Sequence, residues 1–191
     1  VIISDEAYEY FTFDGQPHVS IAALDDLADR TISVHTLTKT YAMTGYRIGY
    51  LRAPADLMPA ISRAHIPLCI CPPVVCQHAA LAAVTGPDDA ITDFRVHYED
   101  ARNRMCDRLH RLPDLFETVR PGGSYLMFPR IRVPQGDDST AFCIRMLEDT
   151  GVCTTPGRDF GPTAEGHLRL SFCVSLGEID EAFDRLEAWT V

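Results

Sequence analysis

Two β-branched runs, VIIS at 1–4 and TISVHTL at 31–37, stand on either side of SIAALDDLADR at 20–30. The middle segment has helical spacing and good helix formers, so the three together read as a strand–helix–strand unit. A crossover of that length suits parallel neighbours, since an antiparallel pair needs only a tight turn. Parallel pairing carries the carboxyl ends of both strands to one sheet edge, where open α/β sheets bind their ligands. VIIS is a continuous apolar run, as expected of a strand covered on both faces.

The remaining chain extends this pattern. YRIGYLRA (46–53) reads as a further strand, and ADLMPAISRAH (55–65) and CQHAALAAV (76–84) read as helices around a proline-bearing turn. From 90 to 112, Phe94, Tyr98, Ala101, Met105, Leu109 and Leu112 keep a helical stripe, the mark of a long helix bridging two lobes. FETVRPGGSYLMFPRI (116–131) gives two strand-like runs around Pro-Gly-Gly, followed by a helix at 138–149 and a strand in HLRLSFCVS (167–175). In the closing helix Ser175 and Glu178 form a capping box, and Ile179, Ala182, Phe183, Leu186 and Trp189 make one apolar face. Residues 1–92 therefore read as part of an α/β domain and 93–191 as a small α+β domain.

Composition narrows the function classes. Asp and Glu (27) outnumber Lys and Arg (17), and the net charge of −10 argues against a nucleic-acid or anionic-membrane surface, which needs a basic footprint. No apolar run approaches a membrane span. The seven cysteines show no CxxC spacing. Cys69, Cys71 and Cys76 lie near His78 but lack a second ligand pair, so they read as reduced, mostly buried thiols of a cytoplasmic protein and not as a metal site. The first residues look like a strand already under way, so the chain reads as the later part of a longer one.

Asp5 follows the first strand and Lys39 the second, which brings a carboxylate and an amine to one sheet edge. For an arbitrary pair a plain salt bridge is the ordinary explanation. Tyr8 adds a phenol three residues past Asp5, while Thr36, Thr38 and Arg47 surround the lysine with groups suited to a phosphate dianion. Arg169 sits in the middle of the apolar HLRLSF, where burial is costly unless an anion meets it. A phosphate site, an imine-forming lysine and a carboxylate for a pyridine nitrogen together describe pyridoxal phosphate.

At these residues the chain resembles the fold-type I pyridoxal-phosphate-dependent aminotransferases of class I/II. The resemblance rests on SDEAYEYF (4–11), TLTKTYAMTGYRIGY (36–50), CPPVVCQHAALAAV (71–84), GGSYLMFP (122–129) and PGRDFGPTAEGHLRLSF (156–172), in the family's order and near its spacing. It implies that residues 1–92 are the C-terminal part of the large cofactor-binding domain and 93–191 the small domain. It implies that Lys39 forms the imine with the cofactor, Asp5 pairs with the pyridine nitrogen and Tyr8 bonds the ring's 3-oxygen. It further implies that Thr36 and Arg47 hold the phosphate and Arg169 grips the substrate's α-carboxylate. The implied reaction moves an amino group between an α-amino acid and a 2-oxo acid in a cytoplasmic homodimer without metal, nucleic acid or membrane. A lyase or synthase of the same fold, a non-catalytic sensor domain, and an inactive truncated product stay open as alternatives.

Departures from the pattern are local. His35 stands where the family carries a small polar residue, and strand alternation turns it away from the lysine, so it reads as packing. Thr38 replaces a serine, a mild change, and Leu126 stands where a tyrosine is common in the substrate-side motif, which leaves substrate preference unassigned. Gly45 and Gly49 read as a turn and as a close approach within a strand. The family's glycine-rich phosphate loop, its ring-stacking aromatic and its asparagine near the 3-oxygen have no counterpart between 1 and 191.

Overall fold

A computed structural model describes residues 1–190. The chain divides into two compact units, Val1–Arg95 and Val96–Val191.

In the first unit β1 (Ile2–Asp5) and β2 (Thr31–Thr36) are parallel neighbours, as the long connection requires, with Ile2 opposite Thr31 and Asp5 opposite Val34. The Glu6 amide continues the ladder by donating to the Val34 carbonyl at 2.9 Å. β3 (Gly49–Arg52) lies antiparallel on the other side of β2, pairing Thr36 with Gly49, so β2 is the middle strand.

The connection between β1 and β2 differs from the expected helix. It contains two 3₁₀ turns, Ile21–Ala23 and Ala28–Arg30. Leu24 is extended (ψ 150°) and Asp26 is left-handed (φ 61°), which interrupts any continuous helix. Ser20 precedes the first turn, but its hydroxyl donates to Glu6 Oε1 at 2.8 Å and caps no backbone amide. A tertiary hydrogen bond has taken the group that would have started a helix.

This crossover packs on the sheet face that carries Thr31 and Ser33, which are 1% and 2% exposed, and Thr31 donates to the Leu27 carbonyl at 2.8 Å. One crossover covers one face. Ile3, on the other, is 73% exposed, so the expectation of burial on both faces does not hold here.

A single helical turn, α1 (Leu37–Thr40), follows β2; α2 (Met58–Leu68) and α3 (Val74–Thr85) follow β3. The unit boundary falls within α4 (Asp89–Leu109). Four cysteines (Cys69, Cys71, Cys153 and Cys173) are exposed and three are buried, which corrects the reading of mostly buried thiols. Among the described residues no helix is long and apolar enough to cross a membrane.

In the second unit the α4 stripe is buried through Tyr98, Ala101, Met105 and Leu109. The two runs around Pro-Gly-Gly do not form one hairpin. β4 (Phe116–Glu117) pairs with β6 (Arg130–Ile131). β5 (Leu126–Met127) instead joins β8 (Leu168–Ser171), whose other neighbour is β7 (Thr155–Pro156). α5 (Ser139–Thr150) starts at Asp138, whose carboxylate accepts from the amides of Thr140 (3.1 Å) and Ala141 (3.0 Å), and stops at Gly151 with φ 74°. α6 (Leu176–Glu187) carries the expected capping box of Ser175 and Glu178. Its Asp180, Asp184 and Glu187 converge on Arg108 of α4 at 3.4, 2.6 and 3.0 Å and tie the two helices together.

Glu6 is the polar anchor of the first unit. It is 3% exposed and is bonded by His18 Nε2 and by Ser20. Burial alone would raise its pKa, but hydrogen bonds from Ser20, Ser4 and His18 outweigh that and hold it below the usual 4.5. A carboxyl with a lowered folded-state value stabilises the fold above its ordinary value, and that contribution is lost as pH falls through the folded one. Urea denaturation should therefore show wild-type stability falling more steeply on acidification below pH 4.5 than that of Glu6→Gln. Near neutral pH the variant should be weaker by about 1–3 kcal/mol, the cost of leaving buried partners unpaired.

Candidate active site

Asp5 ends β1 at the carboxyl edge of the sheet, exposed, with Oδ1 accepting from the Ala7 amide at 3.1 Å. The chain then turns through 6–11, where the Tyr8 carbonyl accepts from the Phe11 amide at 2.9 Å. Phe11 and Phe13 are 0% and 1% exposed and fix this turn, leaving Tyr8 half-buried.

Thr36 ends β2 and lies on the same sheet face as Asp5, as the parallel register and side-chain alternation dictate. Its hydroxyl accepts from the Thr38 amide at 3.2 Å and so caps α1, the turn that carries Lys39. Leu37 and Thr40 are buried and Thr38 and Lys39 half-buried. Lys39 thus sits one helical turn beyond the strand and not directly at its end.

Arg47 follows a 3₁₀ turn and adopts left-handed backbone angles (φ 50°, ψ 48°), as Ala42 does at φ 53°. Such angles cost a non-glycine residue about 1–2 kcal/mol, and strain of this kind gathers where function needs a particular side-chain placement. Nη1 of Arg47 donates to the Thr44 carbonyl at 3.0 Å, leaving its other N–H groups to a ligand or solvent.

A groove of about 620 Å³ brings Thr36, Thr38 and Arg47 together with His35, Tyr50 and His65. Asp5, Tyr8 and Lys39 do not line it. A phosphate dianion fits its donors. The Thr36 hydroxyl has accepted one hydrogen bond and keeps its proton to donate, Thr38 adds a second hydroxyl, and Arg47 adds a charged fork.

His35 packs as expected, its ring stacked on Tyr50 at 4.7 Å and 10°. It also hydrogen-bonds Glu9 through Nδ1 at 3.1 Å. Burial first, and then the Glu9 carboxylate, push the Tyr50 phenol upward. Glu6, Glu9, Tyr50 and His65 were not singled out from sequence. Partners 26 residues apart, as Glu9 and His35 are, leave no periodic signal.

In the second unit Arg169 of β8 is half-buried. It donates through Nη2 to Thr155 Oγ1 at 3.2 Å, and its guanidinium lies 5.2 Å from the centre of the Phe160 ring. No carboxylate among the described residues pairs with it. Of the two acids near it in sequence, Asp159 forms no ion pair with it, and Glu165 accepts instead from the amides of Ser139 (2.8 Å) and Gly166 (3.2 Å). The Ser139 hydrogen bonds hold the Glu165 carboxyl below its usual value.

In this α/β unit a parallel strand pair ends in a carboxylate and a lysine-bearing turn, with a groove alongside whose donors suit a phosphate dianion. The chain belongs to the family described as aminotransferase class I and II, whose model matches residues 1–186. It is 37% identical over 189 residues to the aromatic-amino-acid aminotransferase 2 of Thermococcus litoralis, covering 98% of this chain and 48% of the relative. It is 39% identical over 191 residues to a probable N-acetyl-LL-diaminopimelate aminotransferase of Bacillus subtilis, covering 100% and 47%. Among solved structures, the aromatic aminotransferase of Pyrococcus horikoshii OT3 superposes with a TM-score of 0.91 at 35% identity, covering 98% of this chain and 50% of that one. The chain spans about half the length of the curated relatives it matches.

Gly49 sets the approach of β3 to the groove. A Cβ there would run into the His35 carbonyl oxygen and stand 3.3 Å from Thr36 Cα. Gly45 differs: a Cβ there would meet open space. Chemical denaturation should accordingly find Gly49→Ala destabilised by about 1–3 kcal/mol, the usual cost of overpacking, and Gly45→Ala unchanged within about 0.5 kcal/mol.

Proposed function

We propose that this chain supplies the lysine, the ring-nitrogen carboxylate and the substrate arginine of a pyridoxal-phosphate-dependent aminotransferase, which moves an amino group between an α-amino acid and a 2-oxo acid. The observation that carries the reading is the coupling of Thr36 to Lys39. One hydroxyl caps the turn bearing the amine and also lines the groove with Arg47. In this reading the first unit is the C-terminal part of the large cofactor-binding domain and the second is the small domain. The protein works as a cytoplasmic homodimer on small molecules.

Bound pyridoxal phosphate supplies an electron sink for the pair left at the substrate's Cα when its proton departs. The chain's own residues do the rest. Thr36 and Arg47 would hold the phosphate. Asp5 would keep a proton on the pyridine nitrogen; its side chain is exposed at the sheet edge, with Oδ1 accepting from the Ala7 amide. Tyr8 donates to the 3-oxygen. Lys39 would hold the cofactor through its ε-amine and would move the proton at the substrate's Cα. Arg169 binds the α-carboxylate through its planar fork.

Two measurements test these roles. Pyridoxal phosphate followed by borohydride should fix one adduct on the Lys39 peptide, read by mass spectrometry, and none at that site in Lys39→Ala; an undiminished adduct elsewhere would refute the assignment. In the active enzyme, Arg169→Lys should raise KM for amino acid and oxo acid together by about tenfold or more, as the loss of a charged hydrogen bond (about 1.5–3 kcal/mol) requires. The absorbance of bound cofactor should not change.

A further inference from the structure

The face of the β5–β8–β7 sheet that holds Arg169 carries more than a carboxylate site. Residues directly opposite each other in a sheet share a face, so Arg169 shares its side with Thr155, and Ser171 shares its side with Leu126. Alternation places Arg169 and Ser171 together, opposite the buried Leu168 and Leu170. Two large rings stand open on this side. Phe128 is 41% exposed and stacks on His167 at 5.3 Å and 7°, while Phe160 is 48% exposed and meets Phe128 edge-on at 5.6 Å and 90°.

These rings border the guanidinium. The guanidinium carbon lies over the Phe160 ring, 5.2 Å from its centre, and the N–H groups not given to Thr155 remain for an anion. A carboxylate docked there has Phe160 beside it and Phe128 beyond, so the group attached to its α-carbon meets aromatic surface before it meets water. The neighbouring polar groups are already engaged: Thr155 Oγ1 accepts from Arg169, and His167 Nδ1 faces the Glu165 carbonyl at 3.2 Å. Arg130 reaches this side through its bridge to His167, and its cross-strand neighbour there is the carboxylate of Glu117. The relatives named above differ in the amino acid they are named for, so the preference has to be argued from these residues.

We propose that the amino acid held at Arg169 carries an aromatic or large apolar side chain, and that Phe128 and Phe160 select it. This rests on the reading of Arg169 as the α-carboxylate site, and the experiment separates the two. The 191-residue chain is titrated with propanoate, 3-phenylpropanoate and butanedioate, and binding is followed by the amide resonances of Thr155, Arg169 and Ser171. The phenyl acid should bind about tenfold tighter than propanoate, the scale of one buried ring contact, and butanedioate no tighter than propanoate. Phe128→Ala and Phe160→Ala should each remove most of that advantage, and Arg169→Gln should weaken every acid alike. Equal binding of propanoate and 3-phenylpropanoate, both lost in Arg169→Gln, overturns the aromatic preference and leaves the carboxylate site standing. Butanedioate binding tightest overturns it in favour of a dicarboxylate. Carboxylates that ignore Arg169→Gln, or none binding, remove the carboxylate site and the proposal with it. Should an alanine variant fail to fold, the ranking of the three acids on the unaltered chain decides the matter.

Discussion

The parallel pairing of β1 with β2 is the constraint on which the first unit depends. Its register sets Asp5 opposite Val34 and leaves Thr36 as the last paired residue of β2, with both side chains on one face at the carboxyl edge. The segments that carry Tyr8 and Lys39 both start from those two strand ends. Asp5 turns the chain toward Tyr8, and Thr36 turns it into the lysine-bearing α1. An antiparallel register would have sent the two ends to opposite edges, and no loop rearrangement would have repaired that.

The pairing needs support that the strands do not contain. Glu6 follows Asp5 but points to the opposite face, where His18 and Ser20 close on it, and its amide extends the ladder past the strand. The crossover is thereby clamped under the strand end that presents Asp5. The same clamp explains why the crossover is two short turns: the side chain that would have capped a helix is engaged by a buried acid. Across β2, the absence of a Cβ at Gly49 lets β3 come close enough to bring Arg47 to the groove.

Much of this was legible in the chain, because it follows from local periodicity and from the length of connections. The parallel pair, the long α4, the capping box of α6 and the grouping of Thr36, Thr38 and Arg47 all follow from spacing. What was not legible depends on contacts between residues distant in sequence. The fate of Ser20 depended on Glu6, fourteen residues away. The partner of His35 was Glu9, and the strand after Pro-Gly-Gly split between two sheets because β8, some forty residues on, competed for Leu126 and Met127. Nor could spacing decide whether Arg169 already had an acid. Asp159 and Glu165 stood at plausible distances, and only three-dimensional packing shows Glu165 turned toward the start of α5.

The way Glu165 is held has a bearing on how this surface tolerates change. Its carboxylate is engaged by the main-chain amides of residues 139 and 166, which persist whatever side chains stand there, proline apart, and by the Ser139 hydroxyl, which does not. Substitution at residue 166 therefore leaves the acid's contacts in place, whereas substitution at Ser139 removes one of them. Tolerance to change at this end of β8 is thus uneven: the main chain carries part of the hold on the acid, and a single hydroxyl at the start of α5 carries the rest.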